Sequence, residues 1–259
     1  MDSYVAGSVM QAGASTLLPV AWSQFKDVDL HARHHSPCRG GDFFDALLVG
    51  RHLLFLLTDI AGLQLQAQQV ASQVQYVFRQ KAQELFGGSD VNESDALAEL
   101  AHAFNLAVLE AAQGVRFAPT FLGCFNLTHG ILSYCNAGNL LALIRSKGNV
   151  RVLESSGMPL GLFSHTTFEA AILALQQGDA VLVVTKGVTE SRRGSTHFGV
   201  ERVERMLKDA TTPSASGMCE AVLREAHDFS HHPWSQFLSL FQKRELCTDD
   251  LTALALLRR

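Results

Sequence analysis

Four aspartates stand at the ends of predicted strands, beside turns. Asp42 lies in the segment GGDFFD, Asp59 lies in TDIAG, and Asp249 and Asp250 are adjacent in TDDLT. Carboxylates gathered at strand ends suit Mg²⁺ or Mn²⁺, because these hard cations take oxygen ligands in near-octahedral geometry. A pair of such ions can activate a water to attack phosphorus and can stabilise the leaving oxygen. Each aspartate taken singly is better explained as a turn or capping residue.

The elements that must position these aspartates follow from the apolar pattern. Two apolar runs within residues 43–59 flank a glycine, which predicts a hairpin of largely buried strands. Apolar residues at i, i+3 and i+4 spacing then predict an amphipathic helix over residues 63–86. A second helix is predicted from a cap at Asn92 or Ser94 to about residue 113.

The rest of the chain is predicted to alternate antiparallel strands with helices. Turn signals separate the first four strands, which predicts an antiparallel meander. The predicted strands are residues 120–127, 131–136, 140–145, 150–153, 167–174, 180–185 and 251–257, and the predicted helices are residues 199–208 and 216–230. This order predicts an α+β fold whose helices pack on the outer faces of sheets.

Composition indicates a folded cytoplasmic protein without a nucleic-acid surface. The chain has 259 residues, 47% of them apolar and 18% charged, which is enough for one substantial core. A formal net charge of -4 gives no support to binding of a phosphate backbone. The five cysteines form no CxxC pair, which fits a reducing compartment. There is no basic leader and no apolar run of ~20 residues, so we expect neither secretion nor a membrane span.

In their order along the chain, the motifs resemble those of the bacterial PPM-type (type 2C) phosphatases. That group includes the sporulation stage II protein E phosphatase and the stress-response partner-switching phosphatases. GGDFFD is similar to the family's GGDfyD, TDIAG to gDvsG, and the closing TDDLTALALL to DDiTllvl. NAGNLLALI at residues 136–144 is similar to naGHpPlll, and TKGVTES at residues 185–191 is similar to TDGvxEa. The resemblance covers residues 25–259 and leaves residues 1–24 as an N-terminal extension.

The resemblance implies a fold, a cofactor and a substrate class. It implies a β-sandwich of antiparallel sheets flanked by helices, in the layer order αββα, with two Mn²⁺ or Mg²⁺ ions. The implied metal ligands are Asp42, Asp59 with the backbone carbonyl of Ile60, and Asp249 with help from Asp250. The implied reaction removes phosphate from serine or threonine of a partner, which is a phosphoprotein or regulatory protein. Any regulator is expected to come from another chain, and a homodimer stays open.

One ligand position departs from the family. The aspartate of the TDG motif is Lys186 here, and a protonated lysine offers donors but no acceptor, so it cannot ligate a cation. The exchange changes the charge of the site by two units, which is the charge of one divalent ion. Repulsion on the order of several kcal/mol in a partly dehydrated site lowers divalent-ion affinity by orders of magnitude. We therefore expect one ion or none, with Asp42, Asp59 and Lys186 at the catalytic centre.

Further departures favour a phosphatase of impaired activity. Residues 63–67 replace the second glycine and small residues that the family has after Asp59, and Asn139 replaces the histidine of its GHpP motif. The alternative is a pseudophosphatase that binds a signalling partner without chemistry. Two other hypotheses stay open: ordinary lineage variation in an active enzyme, and an active enzyme that uses one ion while Lys186 steers the phosphate.

Weaker signals have simpler explanations. Five histidines could suggest a transition-metal site: His31, His34, His35, His231 and His232. No carboxylate or cysteine stands at ligand spacing beside the first three, and histidines that face solvent explain the pattern equally well. Glu190 is better explained by the shape of its loop than by acid-base work. Arg192 and Arg193 are better explained by an exposed basic turn than by contact with a phosphorylated partner.

Overall fold

The computed structural model describes residues 25, 27–35, 41–60, 64–111, 117–210, 214–231 and 250–259. The predicted N-terminal extension and Asp249 lie outside these residues. None of the helices in the described ranges combines the length and the apolar character that crossing a membrane requires.

The described chain forms two antiparallel sheets, a small hairpin and five helices. The strands are β1 (Val28–His35), β2 (Asp42–Val49), β3 (His52–Asp59), β4 (Thr120–Asn126), β5 (Ile131–Ala137), β6 (Leu141–Ser146), β7 (Asn149–Val152), β8 (Ala171–Ala174), β9 (Ala180–Val184), β10 (Arg192–Arg193), β11 (Thr196–His197) and β12 (Leu251–Arg258). The helices are α1 (Gln64–Phe86), α2 (Glu93–Ala111), α3 (Lys186–Glu190), α4 (Val200–Asp209) and α5 (Ala215–Ser230). Sheet A has the order β2-β3-β4-β5-β8, sheet B has the order β1-β12-β9-β6-β7, and β10 pairs with β11.

Three apolar layers join the sheets and helices. Helices α1 and α2 cover sheet A, where Leu54 and Phe78 are buried. Phe55 and Val181 are buried between the two sheets, and Val222 is buried where α4 and α5 cover sheet B. The unbroken apolar run of β3 supplies two of these layers, because successive side chains of a strand point to opposite faces. The layers confirm the α+β sandwich with the order αββα.

The β2–β3 hairpin sets the register of the first two aspartates. Gly50 has a φ of 56° in the two-residue turn, a conformation that glycine adopts without a steric penalty. From this turn, the register pairs Val49 with His52 and ends by pairing Asp42 with Asp59. The predicted hairpin is confirmed. Because its two strands have equal length, the register that starts at the turn brings the two carboxylates opposite each other at its open end.

The meander predicted over residues 120–153 is divided between the sheets. β4 and β5 pair in sheet A, whereas β6 and β7 pair in sheet B. The chain crosses at Gly138 and Asn139, which have φ values of 93° and 64°. The Asn136 side chain holds the crossing, donating to the Leu140 carbonyl at 2.9 Å and accepting from the Leu140 N–H at 3.1 Å. Alternation along the chain identifies strands, but non-local contacts decide which sheet receives them.

Three further elements are absent from the sequence prediction: β1, α3 and the hairpin of β10 and β11. In β1, buried Val28, Leu30 and Ala32 alternate with more exposed residues, which is the period-two pattern of a half-buried strand. Helix α3 has five residues, too few for a helical period to show in the sequence. Both elements border the predicted metal site.

A buried ion pair ties α1 to β2. Asp45 is fully buried, and its carboxylate accepts from Arg79 Nε at 2.9 Å and from Arg79 Nη2 at 3.0 Å. Gln75 Nε2 donates to the same carboxylate at 3.1 Å. A buried charge is tolerated only when it is paired and hydrogen-bonded, and here both partners come from one helix. The pair therefore fixes the rotation of α1 over sheet A, three residues from Asp42 along β2.

The first prediction concerns this ion pair. Arg79→Met should lower the free energy of unfolding by about 3 kcal/mol, because it leaves the Asp45 carboxylate buried without its cation. Lys81→Met on the same helix is the matched control, since Lys81 pairs with Glu84 in solvent and its loss should change stability by less than about 1 kcal/mol. Urea denaturation measures both. Equal effects of the two substitutions would show that the buried pair does not anchor α1.

Candidate metal centre

Strand ends from both sheets meet at one edge of the sandwich. Asp42 begins β2, Asp59 ends β3, and the two residues are directly opposite in the register of sheet A. Asp250 immediately precedes β12 and Thr185 immediately follows β9, which are neighbouring strands of sheet B. The fold therefore brings predicted ligands from distant parts of the chain to one place.

Two hydroxyl groups of sheet B hold the Asp42 carboxylate. Thr185 Oγ1 donates to Asp42 Oδ2 at 2.7 Å, and Thr252 Oγ1 donates to the same oxygen at 2.6 Å. The two threonines also contact each other, because the Thr252 N–H donates to Thr185 Oγ1 at 3.1 Å. Asp42 is only 4% exposed. Both bonds use one carboxylate oxygen, so they set the orientation of the group without engaging Oδ1.

Asp250 and Ile60 are both hydrogen-bonded to the backbone of Gly41, the residue before Asp42. The Gly41 N–H donates to Asp250 Oδ2 at 2.5 Å, and the Ile60 N–H donates to the Gly41 carbonyl at 3.0 Å. A Cβ at Gly41 would lie 2.6 Å from the Ile60 carbonyl oxygen, which is closer than real Cβ atoms come to backbone. The second glycine of GGDFFD is therefore required for Ile60, whose carbonyl is a predicted ligand, to lie beside Asp42.

Burial and neighbouring carboxylates raise the pKa of Asp42 well above its usual range. Burial is the largest cause, and the charge of Asp59 is the next. The hydroxyls of Thr252 and Thr185 act in the opposite direction by stabilising the ionised form, and the charge of Asp250 raises the pKa further. The cluster therefore concentrates negative charge that a cation would offset.

His34 extends the network from the other side of Thr252. His34 Nδ1 lies 2.7 Å from Thr252 Oγ1, and because this hydroxyl donates to Asp42, the Nδ1–H must be the donor to it. Burial lowers the pKa of His34, which favours the neutral ring. His34 is therefore a member of the Asp42 network, although the sequence suggested only a transition-metal or solvent-facing role for it.

Lys186 lies at the rim of this edge. It is the first residue of α3, directly after Thr185, and its Nζ lies 3.2 Å from Glu190 Oε1 in an i, i+4 pair. The Lys186 side chain is 69% exposed. The backbone thus follows the predicted motif, while the ammonium group lies in solvent beside Glu190. Exposed pairs of this kind are weak, so they do not prevent the lysine side chain from moving.

Sequence reasoning missed three groups that the structure places around Asp42. Thr185 and Thr252 lie inside the motifs TKGVTES and TDDLT, so a signal is present in the sequence, although neither threonine is an expected metal ligand. His34 gave no signal for this role, since its partner is reached only across strands β1 and β12. Of the expected ligands, the structure brings together Asp42, Asp59, Ile60 and Asp250, and Asp249 lies outside the described residues.

The described carboxylates fit a hard divalent cation. Within the described residues, no group of three or more His, Cys, Asp or Glu side chains stands ready to hold a metal ion. The donor types nevertheless match Mg²⁺ or Mn²⁺, which prefer carboxylate and carbonyl oxygens. The raised pKa of Asp42 is the sign expected of a carboxylate whose neighbours, Asp59 and Asp250, add negative charge. A cation at this edge would relieve that repulsion.

The second prediction concerns this repulsion in protein held in chelator. Because folding raises the pKa of Asp42, the folded state holds that proton more tightly, and stability falls as the pH rises above the ordinary carboxyl pKa. Asp42→Asn removes the effect, so this variant should unfold at a higher temperature than the wild type at pH 7. The difference should vanish below about pH 3.9, where the carboxyl is protonated in both states. Thermal melts across this range, with exposed Asp90→Asn as control, measure it, and a pH-independent difference would contradict it.

Comparison with solved structures gives the same fold. The chain is similar to the crystal structure of the RsbU and RsbW domains of Rv1364c from Mycobacterium tuberculosis, with a TM-score of 0.67 and 24% identity, over 90% of this chain and 62% of that one. It is similar to the SiaA-PP2C domain of Pseudomonas aeruginosa, with a TM-score of 0.70 and 16% identity, over 89% and 85% of the two chains. At these identities the likeness shows the fold alone.

Comparison of sequences shows the family. Protein IcfG of Synechocystis sp. is 26% identical in an alignment 188 residues long that covers 64% of this chain and 30% of that protein. The chain therefore spans about a third of the length of this relative. The sequence model described as Stage II sporulation protein E (SpoIIE) matches residues 50–259. Because this match covers most of the chain, including the strand ends that carry Asp59 and Asp250, the chain belongs to the SpoIIE family of PPM-type phosphatases.

Proposed function

We propose that this chain is a phosphatase domain that removes phosphate from serine or threonine of a partner protein, and that Lys186 reduces its activity. The observation that carries the proposal is the arrangement of Asp42, Asp59 and Asp250 at one edge of the sandwich. A carboxylate clamped by two hydroxyls lies with Asp59 and Asp250 at one edge, and a lysine stands where the family has a further carboxylate. The five cysteines, which form no CxxC pair, support a location in the reducing cytoplasm.

The residues of this edge have distinct roles in the proposed reaction. Asp42, Asp59 with the Ile60 carbonyl, and Asp249 with help from Asp250 would hold Mn²⁺ or Mg²⁺, which when bound supplies an activated water and stabilises the leaving oxygen. Thr185 and Thr252 keep the Asp42 carboxylate oriented and favour its ionised form. The close approach of Gly41 and Ile60 keeps the Ile60 backbone beside Asp42.

The effect of Lys186 is assigned mainly to the missing carboxylate. Its ammonium group is largely exposed and lies beside Glu190, so water screens its repulsion of a cation more than it would in a dehydrated site. The absence of an oxygen ligand is not screened in this way. We infer that one ion site is lost or weakened and that a site formed by Asp42 and Asp59 persists.

A pseudophosphatase is the second candidate, and one observation favours it. The hydroxyls of Thr185 and Thr252 satisfy Asp42 Oδ2 within the protein without a cation. The edge can therefore be stable without metal, as a module that only binds a partner requires. The RsbU and RsbW domains of the M. tuberculosis protein occur in one chain, which supports a regulatory protein as the partner.

The third prediction separates these candidates. Lys186→Asp should bind Mn²⁺ more tightly and hydrolyse a small aryl phosphate faster than the wild type, by about tenfold or more in each measurement, because it restores a ligand. Calorimetric titration with Mn²⁺ and a Mn²⁺-dependent hydrolysis assay provide the two values. Lys147→Asp is the matched control, since Lys147 is exposed in the turn between β6 and β7 and the substitution changes the net charge equally.

Each outcome selects one hypothesis. Wild-type turnover equal to that of Lys186→Asp, with two tight Mn²⁺ sites in both, would contradict the proposed impairment. Absence of Mn²⁺ binding and turnover in both proteins would instead favour the pseudophosphatase. Gains in Mn²⁺ affinity and turnover that also occur in Lys147→Asp would show that net charge, and not the ligand position, is responsible.

A further inference from the structure

A second group of side chains meets where α5 packs on β1. His35, at the end of β1, lies with its ring centroid 5.0 Å from that of His227 on α5, at an interplanar angle of 80°. The rings of His227 and His231 have centroids 4.1 Å apart and an angle of 14°. Three imidazoles from opposite ends of the chain therefore form one cluster. The cluster faces solvent, because His35 and His231 are exposed and the His227 side chain is 38% exposed.

The fold holds these rings together at two levels. His227 and His231 are four residues apart, the spacing at which two histidines share one helix face and can share a metal ion. Near these rings, Arg33 of β1 forms an exposed ion pair with α5, in which its Nη1 lies 3.2 Å from Glu220 Oε2. Between α5 and β1, Cys219 is buried, and its thiol lies 3.5 Å from the His31 carbonyl. The cluster is thus a product of helix–sheet packing.

The Nδ1 atoms of both helix histidines already have oxygen partners. His227 Nδ1 lies 3.4 Å from Asp228 Oδ1, and His231 Nδ1 lies 3.0 Å from the His227 carbonyl and 2.9 Å from Ser230 Oγ. Histidines that ligate metals through Nε2 commonly donate their Nδ1–H to a carboxylate or a carbonyl, which fixes the tautomer. In the present rotamers, these contacts leave Nε2 as the available ring nitrogen of His227 and His231.

The charge state of the cluster also suits a metal. The pKa of His35 is lowered, first by burial and then by the neighbouring His227 and His231. A neutral imidazole is the form that binds a cation, whereas a protonated ring repels it. The lowered pKa of His35 therefore favours its neutral, metal-binding form.

The rings need to turn before they converge on one ion. The present stacking of His227 on His231 does not aim their Nε2 atoms at a common point, and no described group of three His, Cys, Asp or Glu side chains stands ready to hold a metal ion. Nitrogens bound to tetrahedral Zn²⁺ at about 2.1 Å lie about 3.4 Å from each other. Centroid distances of 4.1 and 5.0 Å are short enough to reach this arrangement by rotation of the side chains, since the χ2 torsion of histidine is broad. This rotation would break the present Nδ1 contacts of His227 and His231.

We propose that His35, His227 and His231 form a binding site for a transition-metal ion of the Zn²⁺ class, with water completing the coordination. Imidazole ligands select Zn²⁺, Cu²⁺ or Ni²⁺, whereas the carboxylate edge around Asp42 selects Mg²⁺ or Mn²⁺. The two sites are thus chemically separate. They are also adjacent in sequence, because His34, which contacts Thr252 of the Asp42 network, is the neighbour of His35.

The fourth prediction tests this site by titrating tag-free protein with Zn²⁺. Millimolar Mg²⁺ is present throughout to occupy the carboxylate edge, since Mg²⁺ competes poorly for imidazole. Calorimetry should show one Zn²⁺ per wild-type chain. His35→Ala, His227→Ala and His231→Ala should each weaken binding by about tenfold or more. His102→Ala, which removes an exposed histidine from α2, should leave the affinity unchanged.

A second measurement keeps the test independent of folding. In the wild type, Zn²⁺ should shift the NMR signals of Nε2 in His227 and His231, while circular dichroism confirms that each variant retains its helices and strands. Absence of saturable Zn²⁺ binding by the wild type would overturn the proposal. A folded His231→Ala or His35→Ala variant that binds Zn²⁺ as tightly as the wild type would also overturn it, because the site would then not consist of these three rings.

Discussion

The carboxylate of Asp42 is the point at which the two sheets are joined at the functional edge. It belongs to sheet A, yet both hydroxyls that hold it, from Thr185 and Thr252, belong to sheet B. An ionisable group that is almost fully buried is stable only when its neighbours satisfy it. The position of each sheet relative to the other is therefore coupled to the state of one carboxyl group.

The second buried carboxylate of the same strand couples that edge to the helices. Asp45 is paired with Arg79 of α1, so β2 carries one charge toward sheet B and one toward the helix layer. A movement of α1 would disturb the buried pair, and the backbone that carries Asp45 also carries Asp42. Helix α1 is therefore connected to the carboxylate edge in two ways. It follows Asp59 closely in the chain, and its Arg79 pairs with Asp45 of β2.

Membership of the SpoIIE family and the lysine at position 186 are compatible in this structure. The edge keeps the strand ends, the glycine and the hydroxyls that position Asp42, and Lys186 occupies the start of α3 without distorting the backbone around it. The substitution thus changes the ligand set and the local charge while the scaffold persists. The proposed loss of one ion site therefore concerns the ligand set and not the scaffold.

Much of this fold could be predicted from local pattern. The hairpin of β2 and β3, the long helices α1, α2 and α5 and the residue types of the carboxylate edge follow from apolar period, turn residues and motif spacing. The division of the strands between sheets could not be predicted, because alternation is the same whether a strand joins sheet A or sheet B. Short elements such as α3 were missed because five residues show no period.

The sequence by itself predicted the hairpin of β2 and β3, and its resemblance to the family predicted that Asp42 and Asp59 are metal ligands. The register of that hairpin then places these two residues opposite each other. Only the tertiary structure decided what surrounds them. Asp42 meets Thr185 and Thr252 across 143 and 210 residues of chain, and His35 meets two histidines on α5. Contacts over such separations depend on how sheets and helices pack, and packing is a property of the whole chain that no local period encodes.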